Sequence, residues 1–275
     1  MQEYAAISSR KNMHDLSTLP NLNIALVQTI LMWHDRQANL KHFELLLEQT
    51  KDADLIVLPE MFTTGFSMAS KTLAEPENGP TYQWLQVQAA KYNAVITGSV
   101  IIHVADGSHR NRLLWAQPNG EVLHYDKRHL FRMAGELNYY TPGEYQMLFE
   151  LNGWRIRPLI CYDLRFPVWS YDIHHTDLLL YIANWPGVRR HHWNRLLPAR
   201  AIENLCYVAA LNRVGTDGNG LTYTGDSQIL DFQGDTLLNA GNAEVVFSSC
   251  LNAVELAKYR IRFPVKLDAD KFQLL

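Results

Sequence analysis

Cysteine is scarce in this chain: three residues, Cys161, Cys206 and Cys250, among 275. They are too few and too scattered for a disulfide framework, and no Cys-x-x-Cys pair suggests a zinc site. A surplus of one charge is also missing. The formal net charge of -3 offers no electrostatic footprint for nucleic acid or an anionic membrane, which favours small or neutral partners. Long apolar runs are absent too, since no window approaches the roughly 20 residues of a membrane span. Residues 1–20 carry Glu3, Arg10, Lys11, His14 and Asp15 where a secretory signal would have its apolar centre, so the cytoplasm is the expected compartment. Neither a repeat of fixed period nor a Pro/Gly/Ser-rich linker divides the chain.

What is present describes one globular domain: 47% hydrophobic and 19% charged residues exclude a disordered chain. The apolar pattern begins at Leu22. Residues 1–22 therefore read as an irregular extension, with Met13 as an alternative start, residues 23–263 as the domain and 264–275 as a polar tail. Short apolar runs at 23–28, 54–58, 94–103, 177–183 and 207–211 read as buried strands, while 39–49 and 81–92 carry apolar residues at helical spacing. Hairpin signals separate 111–117 from 121–125, 147–151 from 154–160, and 228–232 from 236–238. Residues 245–251 add a last strand and 254–263 a short helix. Residues 132–143 have no periodicity and read as a loop. The segment 190–205 looks helical, with Pro198 expected to kink or divide it. Gly-Thr-Asp-Gly-Asn-Gly at 215–220 lacks the strand-to-helix setting of a nucleotide fingerprint and reads as a flexible turn. Strands and helices in rough alternation with interspersed hairpins favour a mixed α/β layered domain.

Three strand exits carry groups of different chemistry: Glu60 beyond 54–58, Lys127 beyond 121–125, and Cys161 beyond 154–160. Singly, each has a plain reading as a loop acid, a solvated lysine or a small core filler. Together they supply what hydrolysis of an amide needs. A thiol is the nucleophile, a carboxylate of raised basicity takes its proton, and a cation stabilises charge on sulfur and then on the carbonyl oxygen.

The motifs around these residues carry a resemblance. Leu-Pro-Glu-Met-Phe at 58–62, Tyr-Asp-Lys-Arg-His-Leu-Phe at 125–131 and Ile-Cys-Tyr-Asp-Leu-Arg-Phe-Pro at 160–167 resemble, in order and separation, the signature blocks of the nitrilase (carbon–nitrogen hydrolase) superfamily. Ala-Asn-Trp-Pro at 183–186 and Ala-Arg-Ala-Ile-Glu-Asn at 199–204 are most similar to its bacterial omega-amidases. The resemblance implies a single-domain, four-layer αββα sandwich that pairs into a homodimer through helices beside the active site. It implies Glu60 as general base, Lys127 as oxyanion stabiliser and Cys161 as nucleophile, with the Tyr162 backbone N–H as second oxyanion donor. Glu136 matches a second glutamate by local sequence alone. The implied reaction is hydrolysis of the terminal carboxamide of short dicarboxylate monoamides, 2-oxoglutaramate and 2-oxosuccinamate, through a thioester, with water as the other reactant and no cofactor or metal. Aliphatic amides, N-carbamoyl amines or nitriles are the alternatives on the same residues, and a non-catalytic scaffold is the alternative of another class. Arg165 is either the anchor for the distal carboxylate or half of a structural ion pair. Phe62, Phe66, Met133 and Trp185 adjoin the motifs and are expected to wall the pocket. His174, His175, His191 and His192 have no Cys or acid at ligand spacing and read as helix-surface or interface residues.

Overall fold

The structure is a computed structural model that describes residues 15–270 together with Phe272 and Leu274. Met13 and most of the expected extension lie outside the described residues. The part of it that is described is not irregular, because Leu16–Thr18 forms a 3-10 turn with Leu16 buried.

In the first half of the chain the elements are β1 (Leu22–Gln28), α1 (Arg36–Leu47), β2 (Leu55–Val57), α2 (Ser70–Leu73), β3 (Glu75–Pro76), α3 (Pro80–Tyr92), β4 (Val95–His103), β5 (His109–Ala116) and β6 (Val122–Asp126). In the second they are β7 (Phe149–Leu151), β8 (Trp154–Ile160), α4 (Pro167–Ser170), β9 (Leu178–Ala183), α5 (Arg190–Asn204), β10 (Tyr207–Asn212), β11 (Val214–Thr216), β12 (Thr222–Thr224), β13 (Gln228–Leu230), β14 (Thr236–Asn239), β15 (Val245–Leu251) and α6 (Ala253–Arg262).

Two sheets share one plan. The first runs β15-β1-β2-β4-β5-β6, with β3 also on β4, and the second runs β14-β13-β10-β9-β8-β7. Each has three parallel strands at its centre: β1, β2 and β4 in one, β8, β9 and β10 in the other. Antiparallel strands flank both trios. The architecture repeats although the sequence shows no repeat. Each trio brings its C-terminal ends to one edge, where ligands bind in sheets of this kind.

Burial follows the strand period of two. In β2, Ile56 packs with Phe43 and Leu47 of α1 and with Leu85 and Ala89 of α3, whereas Leu55 and Val57 join Ile156, Leu178 and Leu180 of the other sheet. Beyond the second sheet, α5 packs on β10 and β13 and adds Trp193, Leu197 and Ala201 to the core. These are the four layers of an αββα sandwich. Strands β9 and β10 are buried on both faces, which explains their near-continuous apolar sequences.

Two local expectations are corrected. Pro198 does not divide α5, which is continuous. Trp193 and Leu197 before the proline and Ala201 after it are all buried in one core. The 215–220 segment is more ordered than a flexible turn: it falls within the β11–β12 hairpin, whose tip is tied by the Asp217 carboxylate accepting from the N–H groups of Asn219 and Leu221 at 2.8 and 3.0 Å. No helix among the described residues is long and apolar enough to cross a membrane.

Candidate active site

Cys161 follows the last residue of β8 directly and has φ of 45°, the left-handed region. It opens a 3-10 turn, Cys161–Arg165, that swings the chain off the sheet edge. Asp163 fixes this turn from within. Its Oδ2 accepts from the Ile160 N–H at 2.9 Å and the Tyr125 O–H at 2.7 Å, and its Oδ1 from the His129 N–H at 2.9 Å. The nucleophile block is thereby tied to the lysine block. On the other sheet, Met61 also has positive φ, 44°, and its N–H donates to Ser99 Oγ at 2.8 Å. That bend leaves Glu60 at the sheet edge and turns Phe62 back into the interior.

Glu60 and Lys127 meet there, fully buried. Glu60 Oε1 accepts from Lys127 Nζ at 2.9 Å and Asn111 Nδ2 at 2.8 Å, while Oε2 accepts from the Asn184 backbone N–H at 2.8 Å. Lys127 Nζ also donates to both oxygens of Glu136 at 3.1 Å. Glu136 is held in turn by the Phe131 N–H at 2.5 Å. Asn184 follows β9 directly, donates its side-chain N–H to the Glu60 carbonyl at 2.6 Å, and its own carbonyl lies 3.8 Å from Cys161 Sγ. Thus the structure brings Glu60, Lys127, Glu136 and Cys161 into one cluster.

The charges set the resting state. Burial works against the Lys127 ammonium, but Glu136 and Glu60 outweigh it and hold its pKa above the ordinary lysine value. The Glu136 carboxyl is pushed up by burial and by Glu60, against the pull of Lys127. Burial raises the Cys161 thiol well above its usual value, and the Glu60 charge and hydrogen bond add to this, while Lys127 opposes it. The thiol therefore rests protonated beside a carboxylate.

A cavity of about 870 Å³ opens above Cys161, with Lys127 and the Tyr162 turn in its floor. Phe66, Met133 and Trp185 line it; the Phe66 ring lies 5.1 Å from Lys127 Nζ. Phe62 does not. It is fully buried against Phe43 and Trp84, with ring centroids 5.3 and 6.1 Å away, and belongs to the core beneath α1 and α3. Arg165 lines the cavity, its guanidinium 5.6 Å from the centre of the Trp185 ring and in contact with His192 Nδ1. Among the described residues no carboxylate lies at ion-pair distance from it, so the structural-pair alternative is not the arrangement found. His192 is accordingly part of the site's surroundings rather than a plain surface residue.

Several contributors were not singled out from sequence: Asn184, Asn111, Arg189, and Asp217 and Tyr223 of the β11–β12 hairpin. Asn184 had a signal, since it too leaves an apolar strand. The hairpin had none, because its wall function depends on the fold bringing it back over β9.

The carbon-nitrogen hydrolase profile matches residues 23–255. The chain belongs to the carbon-nitrogen hydrolase family. Within it, the chain is 49% identical to "Omega-amidase YafV" of Yersinia enterocolitica over 94% of this chain and 100% of that protein. It is 34% identical to the "2-oxoglutaramate amidase" of Bacillus subtilis (strain 168), over 90% and 97% of the two chains. A solved carbon-nitrogen hydrolase superfamily protein of Xanthomonas campestris, with an arsenic adduct in its active site, superposes with TM-score 0.89 at 46% identity, covering 93% of this chain and 99% of that one.

Proposed function

We propose that this carbon-nitrogen hydrolase is a cysteine-dependent omega-amidase, which converts the terminal carboxamide of a short dicarboxylate monoamide such as 2-oxoglutaramate or 2-oxosuccinamate to the acid and ammonia. The observation that carries the reading is that Cys161 and Lys127 line one cavity, with Glu60 buried behind them on Lys127, and that the same cavity is lined by Arg165, which has no carboxylate partner among the described residues. The names of relatives that match this chain end to end support the substrate class.

In this scheme Glu60 takes the thiol proton as Cys161 Sγ adds to the carboxamide carbon. The raised thiol pKa means that the proton leaves during attack rather than before it. Lys127 Nζ and the Tyr162 N–H donate to the oxyanion. Tyr162 is the second residue of a 3-10 turn, so helix geometry leaves its N–H without an intrahelical partner. Each such donor contributes about 3–4 kcal/mol to the transition state. Glu60 returns the proton to nitrogen, the C–N bond breaks, and ammonia leaves a thioester on Cys161. Glu60 next takes a proton from water as its oxygen adds to the thioester carbon; collapse expels sulfur, which recovers the proton. Glu136 keeps Lys127 aimed, and Arg165 receives the distal carboxylate.

Residues 23–263 form the catalytic domain in this reading. The protein acts in the cytoplasm, where its free thiols stay reduced, and it acts as a homodimer, for which exposed Val188 and Ile202 near α5 leave apolar surface. A second reading, a longer aliphatic amide, has one observation in its favour: the cavity is roomy for a five-carbon acid. A panel of 2-oxoglutaramate, its methyl ester, simple amides and nitriles tests the assignment. The free acid is expected to be the best substrate by kcat/KM. Equal or better turnover of the ester or a neutral amide moves the substrate elsewhere in the family.

A further inference from the structure

We propose that Arg189 is a second cationic contact for the carboxylate end of the substrate, acting beside Arg165; this rests on the substrate class proposed above. Several buried or half-buried arginines elsewhere in the fold are neutralised: Arg112, Arg155, Arg157 and Arg260 each lie against an aspartate, as does exposed Arg190, whereas Arg213 and Arg128 donate to backbone carbonyls and lie over Tyr223 and Trp169. The two arginines that line the cavity differ. Among the described residues neither Arg165 nor Arg189 has a carboxylate at ion-pair distance, and the Arg189 guanidinium has no hydrogen-bond acceptor.

Trp185 positions both. Its ring face lies under Arg165, and its Nε1–H donates to the Arg189 carbonyl at 2.9 Å. The Arg189 head is laid over the Phe131 ring at 5.0 Å, and Phe131 meets Tyr162, the residue after the nucleophile, edge to face at 5.0 Å. Aromatic faces orient guanidinium groups without consuming their N–H donors. His192 acts similarly on Arg165, taking one N–H through Nδ1 and leaving the rest free.

The other charges of the cavity are already engaged. Lys127 is bonded to Glu60 and Glu136. Asp217 is occupied by its own hairpin, including the Tyr223 O–H at 2.9 Å. What remains in the cavity lining is two guanidinium groups with no carboxylate partner among the described residues. That matches a carboxylate with a neighbouring oxo group, three acceptor oxygens in one plane, better than it matches a neutral acyl chain.

The test is the steady-state selectivity between succinamate and butanamide, amides of the same chain length with and without the carboxylate, in wild type, Arg189→Gln and Arg189→Lys. Inhibition by succinate is measured alongside. In Arg189→Gln the ratio of kcat/KM values, charged over neutral, is expected to fall about 10- to 100-fold, the cost of one charge-assisted hydrogen-bonding group. The fall should lie in KM for succinamate rather than kcat, the succinate inhibition constant should rise by a similar factor, and lysine should recover part of both. Equal losses on the two amides would make Arg189 structural, and an unchanged ratio would make it a bystander; either overturns the proposal. A wild-type enzyme with no preference for succinamate would instead overturn the substrate class itself.

Discussion

Replacing Glu60 by glutamine keeps its shape and tests its charge. The groups hydrogen-bonded to the carboxylate are all donors: Lys127 Nζ and Asn111 Nδ2 on Oε1, the Asn184 N–H on Oε2. An amide NH₂ must therefore oppose a donor whichever way it is turned. Turning its oxygen toward Lys127 and Asn111 keeps those two contacts and leaves the buried Asn184 N–H without its partner. That orphan costs about 1–3 kcal/mol, which for a chain of this size lowers Tm by about 2–4 °C per kcal/mol. The catalytic loss should be far larger. Without a base the step forfeits about 10²–10⁴ in kcat, and misaiming Lys127 adds to this. The assay is kcat on 2-oxoglutaramate beside a melting curve and the pH profile of Cys161 alkylation. Because Glu60 raises the thiol pKa, its loss should move the alkylation midpoint to lower pH. A Glu60→Gln variant that keeps more than a tenth of wild-type kcat, or whose midpoint moves up, would refute the reasoning.

Three further outcomes follow from other contacts. Lys127→Met removes the charge that opposes the rise of the thiol pKa, so its alkylation midpoint should shift upward, opposite to Glu60→Gln, with kcat lost by at least 10²-fold; a downward shift would contradict the electrostatic account. Although burial disfavours its charge, Asp172 is held at a pKa of about 2 by His175 and Arg157. A depressed carboxyl contributes stability that is present above its unfolded pKa and lost as pH falls through about 2. Asp172→Asn should therefore cost about 2 kcal/mol at pH 7 in denaturant titrations, and the difference should shrink between about pH 4 and pH 2. Gly98→Ala would place a Cβ 2.8 Å from Phe62 Cδ1 and 2.9 Å from Leu58 Cβ, so it should destabilise by about 1–3 kcal/mol; an unchanged denaturation midpoint would mean that Phe62 is not packed as described.

Strands with buried faces on both sides were legible because their apolar runs stop abruptly; such stops located Glu60 and Cys161, whereas Lys127 was marked by the end of a half-exposed hairpin strand. Glu136 was legible only by resemblance, since its loop has no period and its burial comes from Lys127 and Phe131 folding around it. Phe62 misled because sequence adjacency to Glu60 says nothing of direction; the positive φ at Met61 sends the two side chains to different regions. The repeated plan of the two sheets left no trace in sequence, as pairing order depends on backbone contacts that many residues satisfy. Arg189 stood just before the segment read as helix, and only the tertiary fold reveals that it lacks the carboxylate which its neighbour Arg190 finds in Asp226.

The central claim is that the Cys161 sulfur forms the bond that breaks the amide. Ammonia release from 2-oxoglutaramate by the wild-type protein and by Cys161→Ala, at equal concentration and with matched melting curves, tests it most directly. The account predicts steady release by the first and none above the uncatalysed rate by the second. Release by a folded Cys161→Ala protein at a rate near wild type would contradict it.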